Sequence, residues 1–222
     1  KVENPQTPTP PELASVLGRN PLYTADWTLI HDTRDSTFMP TEGHYVNLTL
    51  TQGFGHFDYP RAVIDARRHF LIHERPDRSG RQTLTFLTTL GFTGNNTPMF
   101  ENFFAGGLNG TQTLRGFYFR GASPQDMNVF VGGKFEWINT VEYMFPLMAD
   151  DMLRGVIFCD YGTVETNTSL HWSNYRISPG FGLRIQVPAM GPAPIALDIA
   201  APVHHAVGDQ IQNFSFFVGY QR

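Results

Sequence analysis

The sequence predicts an all-β chain, folded as an antiparallel transmembrane β-barrel of about ten strands. Three observations lead to this prediction. Charged residues make up 16% of the 222 residues, aromatic residues 14%, and glycines number 21, a mixture that favours strands and turns. Polar and apolar residues alternate over segments of about ten residues, longer than ordinary strands. Aromatic residues gather near the ends of these segments, as they do at the interfaces of membrane barrels.

The first 25 residues differ in composition from the rest of the chain. Proline removes a backbone donor and disfavours both helices and ladders. We therefore predict a Pro-rich linker or tail over residues 1–25, with one helical turn at Glu12–Leu17, followed by a barrel domain over residues 26–222. The prolines concerned are Pro5, Pro8, Pro10, Pro11 and Pro21.

Ten segments are predicted as strands because their residues alternate in polarity between turn signals. For Tyr59–His73 an amphipathic helix is also possible, but a period of two fits the flanking pattern better. The ten are Trp27–Arg34, His44–Phe54, Tyr59–His73, Arg81–Phe92, Pro98–Ala105, Asn128–Leu147, Leu153–Val164, Tyr175–Val187, Pro194–Val203 and Gln212–Tyr220.

The two faces of these strands differ sharply in polarity. One face is aliphatic and aromatic, and the other is small or charged, with Glu142, Asp160, Arg184, Gln186 and Asp198. A soluble β-sandwich buries its apolar face and would give the same alternation. Strand length and the placement of aromatic residues favour a barrel in lipid, while the alternation alone fits both folds.

Several classes of function have no support in the sequence. The formal net charge of -4 gives no electrostatic case for nucleic acid binding. Cys159 is the single cysteine, which rules out an internal disulfide and a multi-cysteine metal site. Neither Gly-x-Ser-x-Gly nor His-Glu-x-x-His occurs. We therefore expect no enzyme activity, no catalytic residue, no metal and no cofactor.

The stretch Gly106–Phe117 is too rich in glycine for a regular strand. Glycine allows positive φ angles and close approach of other backbone. Its one arginine, Arg115, stands between Leu114 and Gly116, and a guanidinium on such a loop can offer a planar fork to carboxylates in a confined space. By itself the stretch also fits a surface loop whose arginine points into water.

A series of short motifs, taken in order, resembles the C-terminal barrel domain of the Omp85 superfamily, the BamA-like or bacterial surface antigen D15 family. The resemblance covers nearly everything from Trp27 to the end of the chain. Each motif is weak alone, and the ordered set is specific. The motifs include Asp32–Asp35, Pro40–Gly43, Phe100–Gly107, Leu114–Phe117, Gly132–Gly133, Asn139–Leu147, Phe158–Gly162, Ser178–Arg184, Gly191–Pro192, Leu197–Asp198 and Phe214–Gly219.

The resemblance implies a sixteen-stranded barrel in the outer membrane, whose sixth extracellular loop folds back into the lumen. The Arg-Gly-aromatic tip of that loop corresponds to Leu114, Arg115, Gly116 and Phe117. Its arginine would pair with acidic residues of the inner wall, here Glu142 and Asp160. Alternation supports an inward Glu142, opposite Trp137, Val141 and Tyr143; for Asp160 it is less clean, because Phe158 shares its parity.

Two departures from the family pattern concern the ends of the chain. With about ten strands instead of sixteen, and no tandem POTRA repeats, the chain resembles a C-terminal fragment of a longer protein; a natural small barrel is the alternative. A terminal-strand signal, read by the assembly machinery in the family, would involve Phe214, Phe216, Val218, Gly219 and Tyr220. That signal is displaced here, because Gln221 and Arg222 follow Tyr220.

The function implied by the resemblance is assembly and insertion of β-barrel proteins, or translocation of polypeptides across the outer membrane. The implied partners are membrane lipid, unfolded outer-membrane or secreted polypeptides, and periplasmic accessory proteins that would bind absent upstream domains. A passive pore or structural outer-membrane barrel of the same fold is the alternative.

Overall fold

The computed structural model describes residues 9–37, 39–107, 114–149, 151–186 and 194–218. They contain one short helix, α1 (Pro11–Ala14), and 3₁₀ turns at Met99–Glu101 and Trp172–Asn174. The strands are β1 (Leu22–Asp32), β2 (Gly43–Gly55), β3 (Tyr59–His73), β4 (Gln82–Thr93), β5 (Gly116–Phe117), β6 (Gln125–Asp126), β7 (Val129–Phe130), β8 (Phe135–Pro146), β9 (Leu153–Glu165), β10 (Arg176–Ile185), β11 (Ile195–Ala200), β12 (Ile211–Gln212) and β13 (Phe214–Val218).

Nine of these strands form one antiparallel sheet in the described part of the chain, in the order β1-β2-β3-β4-β8-β9-β10-β11-β13. Neighbours in the sheet follow each other along the chain, except that the connection from β4 to β8 contains β5, β6 and β7 and the connection from β11 to β13 contains β12. This meander confirms the predicted all-β, antiparallel fold. The strand β3 covers all 15 residues of Tyr59–His73, which confirms that this segment is a strand and not a helix.

The sheet contains nine strands and not the ten predicted segments. The segment Pro98–Ala105 was wrongly predicted as a strand; it contains a 3₁₀ turn at Met99–Glu101 and a single bridge from Phe103 to Gly133. Phe103 and Phe104 of this segment are buried, whereas Phe100 is exposed. Near the N-terminus, β1 begins at Leu22, which lies inside the segment of residues 1–25 that was predicted as a linker.

An odd number of strands has a consequence for closure of the sheet. Because every neighbouring pair is antiparallel, β1 and β13 run in the same direction. Within the described residues no ladder joins them, and both are edge strands. Antiparallel closure requires an even number, so these nine strands form a curved wall and not a closed antiparallel barrel.

The two faces of the wall have the opposite polarity from those of a soluble sandwich. The concave face buries charged residues, among them Asp65 on β3, Asp160 on β9 and Asp198 on β11. The convex face exposes large apolar side chains, which include Trp27, Leu29, Leu50, Ile64, Phe86, Leu90, Phe92, Trp137, Ile157, Phe181, Ile199, Phe214 and Phe216. The alternation predicted from the sequence therefore places apolar side chains on the convex, outer face and polar side chains on the concave, inner face.

The two ends of the wall carry different connections. The end at which β4 stops and β8 begins, called the loop end, carries the connections of residues 56–58, 94–134, 166–175 and 201–213. The opposite end, called the turn end, carries those of residues 33–42, 74–81, 147–152 and 186–194. The 94–134 connection is the longest of these, and it supplies the candidate site.

None of the helices in the described ranges has the length and apolar character needed to cross a bilayer.

Candidate functional site

The connection from β4 to β8 folds back against the concave face of the sheet. Leu114 and Phe117 are fully buried in an apolar cluster whose other members include Phe103, on the same connection, and Ile138, on β8. A bridge joins Gly107 to Leu114. The intervening residues 108–113, part of the Gly-rich stretch, lie outside the described residues. The described flanks of this stretch are therefore held inside the curved wall.

Arg115 is 1% exposed and lies between two carboxylates of the inner wall. Its Nε and Nη2 donate to the two oxygens of Asp160 at 2.7 and 2.8 Å, which is a bidentate pair. Its backbone N–H donates to the same carboxylate at 3.0 Å. Its Nη1 donates to Glu142 at 2.9 Å. Main chain and side chain therefore hold this part of the connection against β8 and β9.

A second arginine extends the network towards β10 and β11. Arg184 donates to Asp198 at 2.6 Å and to Glu142 at 3.3 Å. Arg115 approaches Asp198 at 3.5 Å. Two arginines thus share three carboxylates. The remaining negative charge is accommodated by neutral donors, such as the backbone N–H of Arg115, so that strands β8 to β11 are linked through one charged cluster.

The guanidinium of Arg115 also lies over the ring of Phe158, with 3.3 Å between Cζ and the ring centroid. Phe158 points inward from β9, two residues before Asp160. Arginine binds well at such sites because it can stack on a ring and bond a carboxylate at the same time. Phe158 and Asp160 share a parity because both side chains face inward from β9 and both contact Arg115.

Burial and charge act in opposite directions on Arg115. Desolvation alone would lower the pKa of its guanidinium, but the charge and hydrogen bonds of Asp160, with Glu142 and Asp198, raise that pKa above its usual value. Arg115 consequently stays charged. This matters because three carboxylates brought together without a cation would repel one another in a confined space.

Thr140 provides a third kind of contact to Asp160. Its hydroxyl, on β8, donates to Asp160 Oδ1 at 2.8 Å. Because this hydrogen bond is buried and reaches a charged acceptor, we expect Thr140→Val to lower the free energy of unfolding by about 1.5–3 kcal/mol. Denaturant titration of the chain in detergent micelles measures this. The matched control is Thr88→Val, at an outward-facing position of β4; an equal loss in both variants would contradict the proposed role of the Thr140 hydroxyl.

Gly116 has a conformation that the site requires. Its φ is +95°, and a Cβ atom placed there would lie 2.5 Å from Ser178 Oγ and 2.8 Å from Pro202 Cγ. Gly116 and Phe117 form β5, which pairs with β12. The residue after Arg115 is therefore packed between β10 and the 201–213 connection, which contains β12, and only glycine fits there.

The 201–213 connection is fixed to the wall independently of Arg115. Arg176, at the start of β10, makes a bidentate ion pair with Asp209, with distances of 2.9 and 2.8 Å. Both side chains are almost fully buried. Asp209 also accepts a hydrogen bond from the backbone of Ala206 at 2.9 Å. The two connections thus pack together at the loop end, one held by Arg115 and the other by Arg176.

Of the predicted site residues, Leu114, Arg115, Gly116, Phe117, Glu142 and Asp160 come together in the structure, as described above. Asp198, Arg184, Thr140 and Phe158 belong to the same cluster but were not predicted as partners of Arg115. For Asp198 and Arg184 the sequence did contain a signal, because alternation placed both of them on the polar face. Nothing in the sequence indicated that β11 would curve within reach of Arg115.

The predicted C-terminal signal is partly within the described residues. Phe214, Phe216 and Val218 lie on β13 and are exposed on the convex face. Gly219 and Tyr220 lie outside the described residues. A role of this strand as an assembly signal stays a prediction. No group of three or more His, Cys, Asp or Glu side chains in the described ranges is placed to hold a metal ion.

A cavity of about 130 Å³ occupies the lumen at the turn end. Arg34, His69 and Arg184 line it together with Glu142. It also touches Phe217 on β13, so that residues from β3 to β13 face one space and the sheet must be strongly curved. Thr140, Glu142 and Arg184 of the Arg115 cluster line this cavity, so that the site borders the cavity on one side.

The comparison with protein families decides the family of the chain. A model described as the Omp85 superfamily domain matches residues 6–221. The chain belongs to the Omp85 superfamily. A curated relative, the SAM50-like protein CG7639 of Drosophila melanogaster, is 26% identical over 227 residues, which covers 95% of this chain and 46% of the relative.

A solved structure similar to this Omp85 chain is that of BamA from Haemophilus ducreyi lacking POTRA domains 1–3. Its TM-score is 0.74 with 18% sequence identity, over 87% of this chain and 41% of that one. At this identity the likeness concerns the fold alone, over the part of that structure that the chain covers. The chain spans a little under half the length of both relatives.

Proposed function

We propose that this Omp85 chain forms part of an outer-membrane barrel that assembles and inserts β-barrel proteins or translocates polypeptides. The observation that carries the proposal is the connection held inside the curved wall by Arg115, Asp160 and Glu142. An inserted loop of this kind keeps the wall curved from β8 to β11 and fills the loop end of the lumen. No bond is made or broken in this function.

The outer face supports a location within a bilayer. Monomeric soluble proteins rarely expose large contiguous apolar surfaces, yet the convex face carries exposed Trp27, Phe86, Trp137 and Phe181 on four different strands. In lipid these side chains would be solvated by acyl chains, while the backbone is satisfied by the ladders between strands. The partners that follow are membrane lipid, unfolded polypeptide substrates and accessory proteins.

The open edges support a function in strand pairing. In the described residues β1 and β13 are each paired on one side only, and an odd number of further strands would close the sheet with antiparallel pairs throughout. A family barrel of sixteen strands meets this condition. In the complete barrel, a weakly paired seam beside β13 would open sideways and pair with an incoming strand through its free N–H and C=O groups.

Reconstitution of the full-length protein tests the proposal. We expect it, in lipid vesicles, to increase the yield of a folded, protease-resistant outer-membrane barrel added in unfolded form. We expect Arg115→Ala to abolish most of this increase, because the wall loses its inner support. Arg120→Ala is the matched control; its guanidinium lies 4.1 Å from the ring of Phe104 and is separate from the Arg115 cluster.

A planar-bilayer recording separates this function from the alternative, a passive pore or structural barrel. Stable, selective conductance of the unmodified protein, with no effect on assembly or translocation of any polypeptide, would contradict the proposed function. The filled loop end leads us to expect little conductance while the Arg115 contacts are intact, and an increase when Arg115→Ala releases the connection.

A further inference from the structure

A small polar group interrupts the apolar convex face where β1 and β2 reach the turn end. We call the side chains of His31, His44 and Arg68 the outer basic cluster. His44 and Arg68 are directly opposite in the β2–β3 ladder. The ring centroids of His31 and His44 are 5.0 Å apart. All three have the parity of exposed apolar neighbours such as Leu29, so they face outward.

The hydrogen bond from Arg68 to His44 does not neutralise the positive charge of the guanidinium. Its Nη1 lies 3.0 Å from His44 Nδ1. The hydroxyl of Thr33 lies 3.0 Å from the same nitrogen and can donate to it as well. Because a guanidinium only donates hydrogen bonds, Nδ1 is the acceptor, which leaves Nε2 to carry the proton of the neutral imidazole. No carboxylate of the described residues lies within ion-pair distance of Arg68, whereas its inward-facing neighbour Arg67 pairs with Asp65 at 2.8 Å.

Aromatic side chains flank this cation on the same face. The Cζ atom of Arg68 lies 5.1 Å from the ring centroid of Phe70. Phe70 in turn meets Phe86 edge-on at 6.0 Å, and Phe86 is opposite Arg68 in the β3–β4 ladder. An arginine on the outer face of a barrel is costly at the bilayer midplane and nearly free of cost beside the headgroups. A basic residue bordered by exposed aromatic rings is typical of the latter position.

We propose that the outer basic cluster binds the phosphate of an anionic phospholipid headgroup. The free N–H groups of Arg68 and the Nε2–H of His44 supply the donors for the phosphate oxygens. Val46 and Ala66, the outward-facing pair two residues nearer the loop end than His44 and Arg68, lie where the upper acyl chains of the lipid would be. This inference rests on the proposed function in one respect, that the convex face lies in a bilayer.

The test uses the chain reconstituted in vesicles of phosphatidylcholine in which part of the lipid is replaced by phosphatidylglycerol. After mild detergent extraction, mass spectrometry measures the phosphatidylglycerol that stays bound. We expect Arg68→Gln to reduce this amount about fivefold, the ratio that corresponds to about 1 kcal/mol for one basic residue at an anionic lipid surface. Arg78→Gln is the matched control: it makes the same charge change at the same end, on the turn between β3 and β4, and should retain the lipid.

The outcomes separate the two proposals. Equal retention of phosphatidylglycerol by the parent, Arg68→Gln and Arg78→Gln would overturn the lipid site alone, provided that all three float with neutral vesicles. Displacement of the lipid by soluble inorganic phosphate at equal concentration would also overturn it, since the cluster would then select an anion and not a lipid. Failure of the parent to float with any vesicle would overturn the membrane location and the lipid site together.

Discussion

Substitution Arg115→Ala is expected to release the β4–β8 connection from the wall and to lower the free energy of unfolding by about 3–5 kcal/mol. The change removes the bidentate donor of Asp160 and the contact to Glu142. Three carboxylates then share Arg184 as their remaining cationic partner within the cluster. Two measurements follow: protease cleavage within residues 94–134, and denaturant unfolding in detergent micelles.

The expected loss in the free energy of unfolding arises because Arg115→Ala leaves buried carboxylates without their partner. It is not a measure of how much the intact ion pair stabilises the fold. A buried ion pair is weak evidence for stability, because desolvation of both groups offsets much of their attraction. Removal of one partner is different, since the other charge stays buried without compensation. We therefore expect Arg115→Ala combined with Asp160→Ala to be less destabilised than the sum of the two single variants.

Two companion variants make the Arg115 prediction specific. Arg115→Lys keeps the charge but loses the bidentate bond and the stacking on Phe158, so we expect partial loss of stability. Arg120→Ala removes an exposed arginine from the same connection and should leave protease protection unchanged. If Arg115→Ala kept the full protection of residues 94–134, the connection would not depend on this arginine.

For Gly116→Ala we expect the free energy of unfolding to fall by about 2–5 kcal/mol, the sum of about 1–2 kcal/mol for backbone strain and about 1–3 kcal/mol for the collision. At φ +95° an alanine is strained. Its Cβ would also collide with Ser178 Oγ at 2.5 Å and with Pro202 Cγ at 2.8 Å. Because Gly116 follows Arg115 directly, the backbone shift that relieves the collision would move the guanidinium away from Asp160. Denaturant unfolding and protease protection measure both consequences.

A second glycine separates strain from collision. Gly18 also has positive φ, +91°, but nothing lies within 4 Å of a Cβ placed there. Gly18→Ala should therefore show the cost of strain alone, about 1–2 kcal/mol, with the β4–β8 connection still protected. Equal losses for Gly18→Ala and Gly116→Ala would mean that close packing around Gly116 contributes nothing.

Local patterns in the chain were sufficient to predict most of the wall. The alternation of β3, β8 and β11 indicated which residues share a face, because side chains on a strand alternate with a period of two whatever the strand pairs with. Pro98–Ala105 was wrongly predicted for the same reason: its apolar residues satisfy the pattern, but within the described residues the segment pairs with the rest of the chain only through the single bridge from Phe103 to Gly133, and Phe103 and Phe104 are buried by tertiary packing.

The lumen site was predicted only in part. The resemblance to the family led to Arg115 and its expected partners Glu142 and Asp160, and the structure has them at 2.9 and 2.7 Å. Phe158 looked like an exception to alternation and is the ring on which Arg115 stacks. Asp198 is 83 residues away from Arg115 in the chain, and no local pattern connects the two.

Composition and periodicity thus determined that the chain is all-β, which residues share a face, and that one Gly-rich loop carries an arginine. Three features depended on tertiary structure: the number of paired strands, the curvature that brings β8 to β11 around one guanidinium, and the lack of a carboxylate partner for Arg68 among the described residues. Periodicity within a strand is a local property of the backbone. Strand count, curvature and charge pairing depend on contacts between segments far apart in the chain, which a local pattern does not encode.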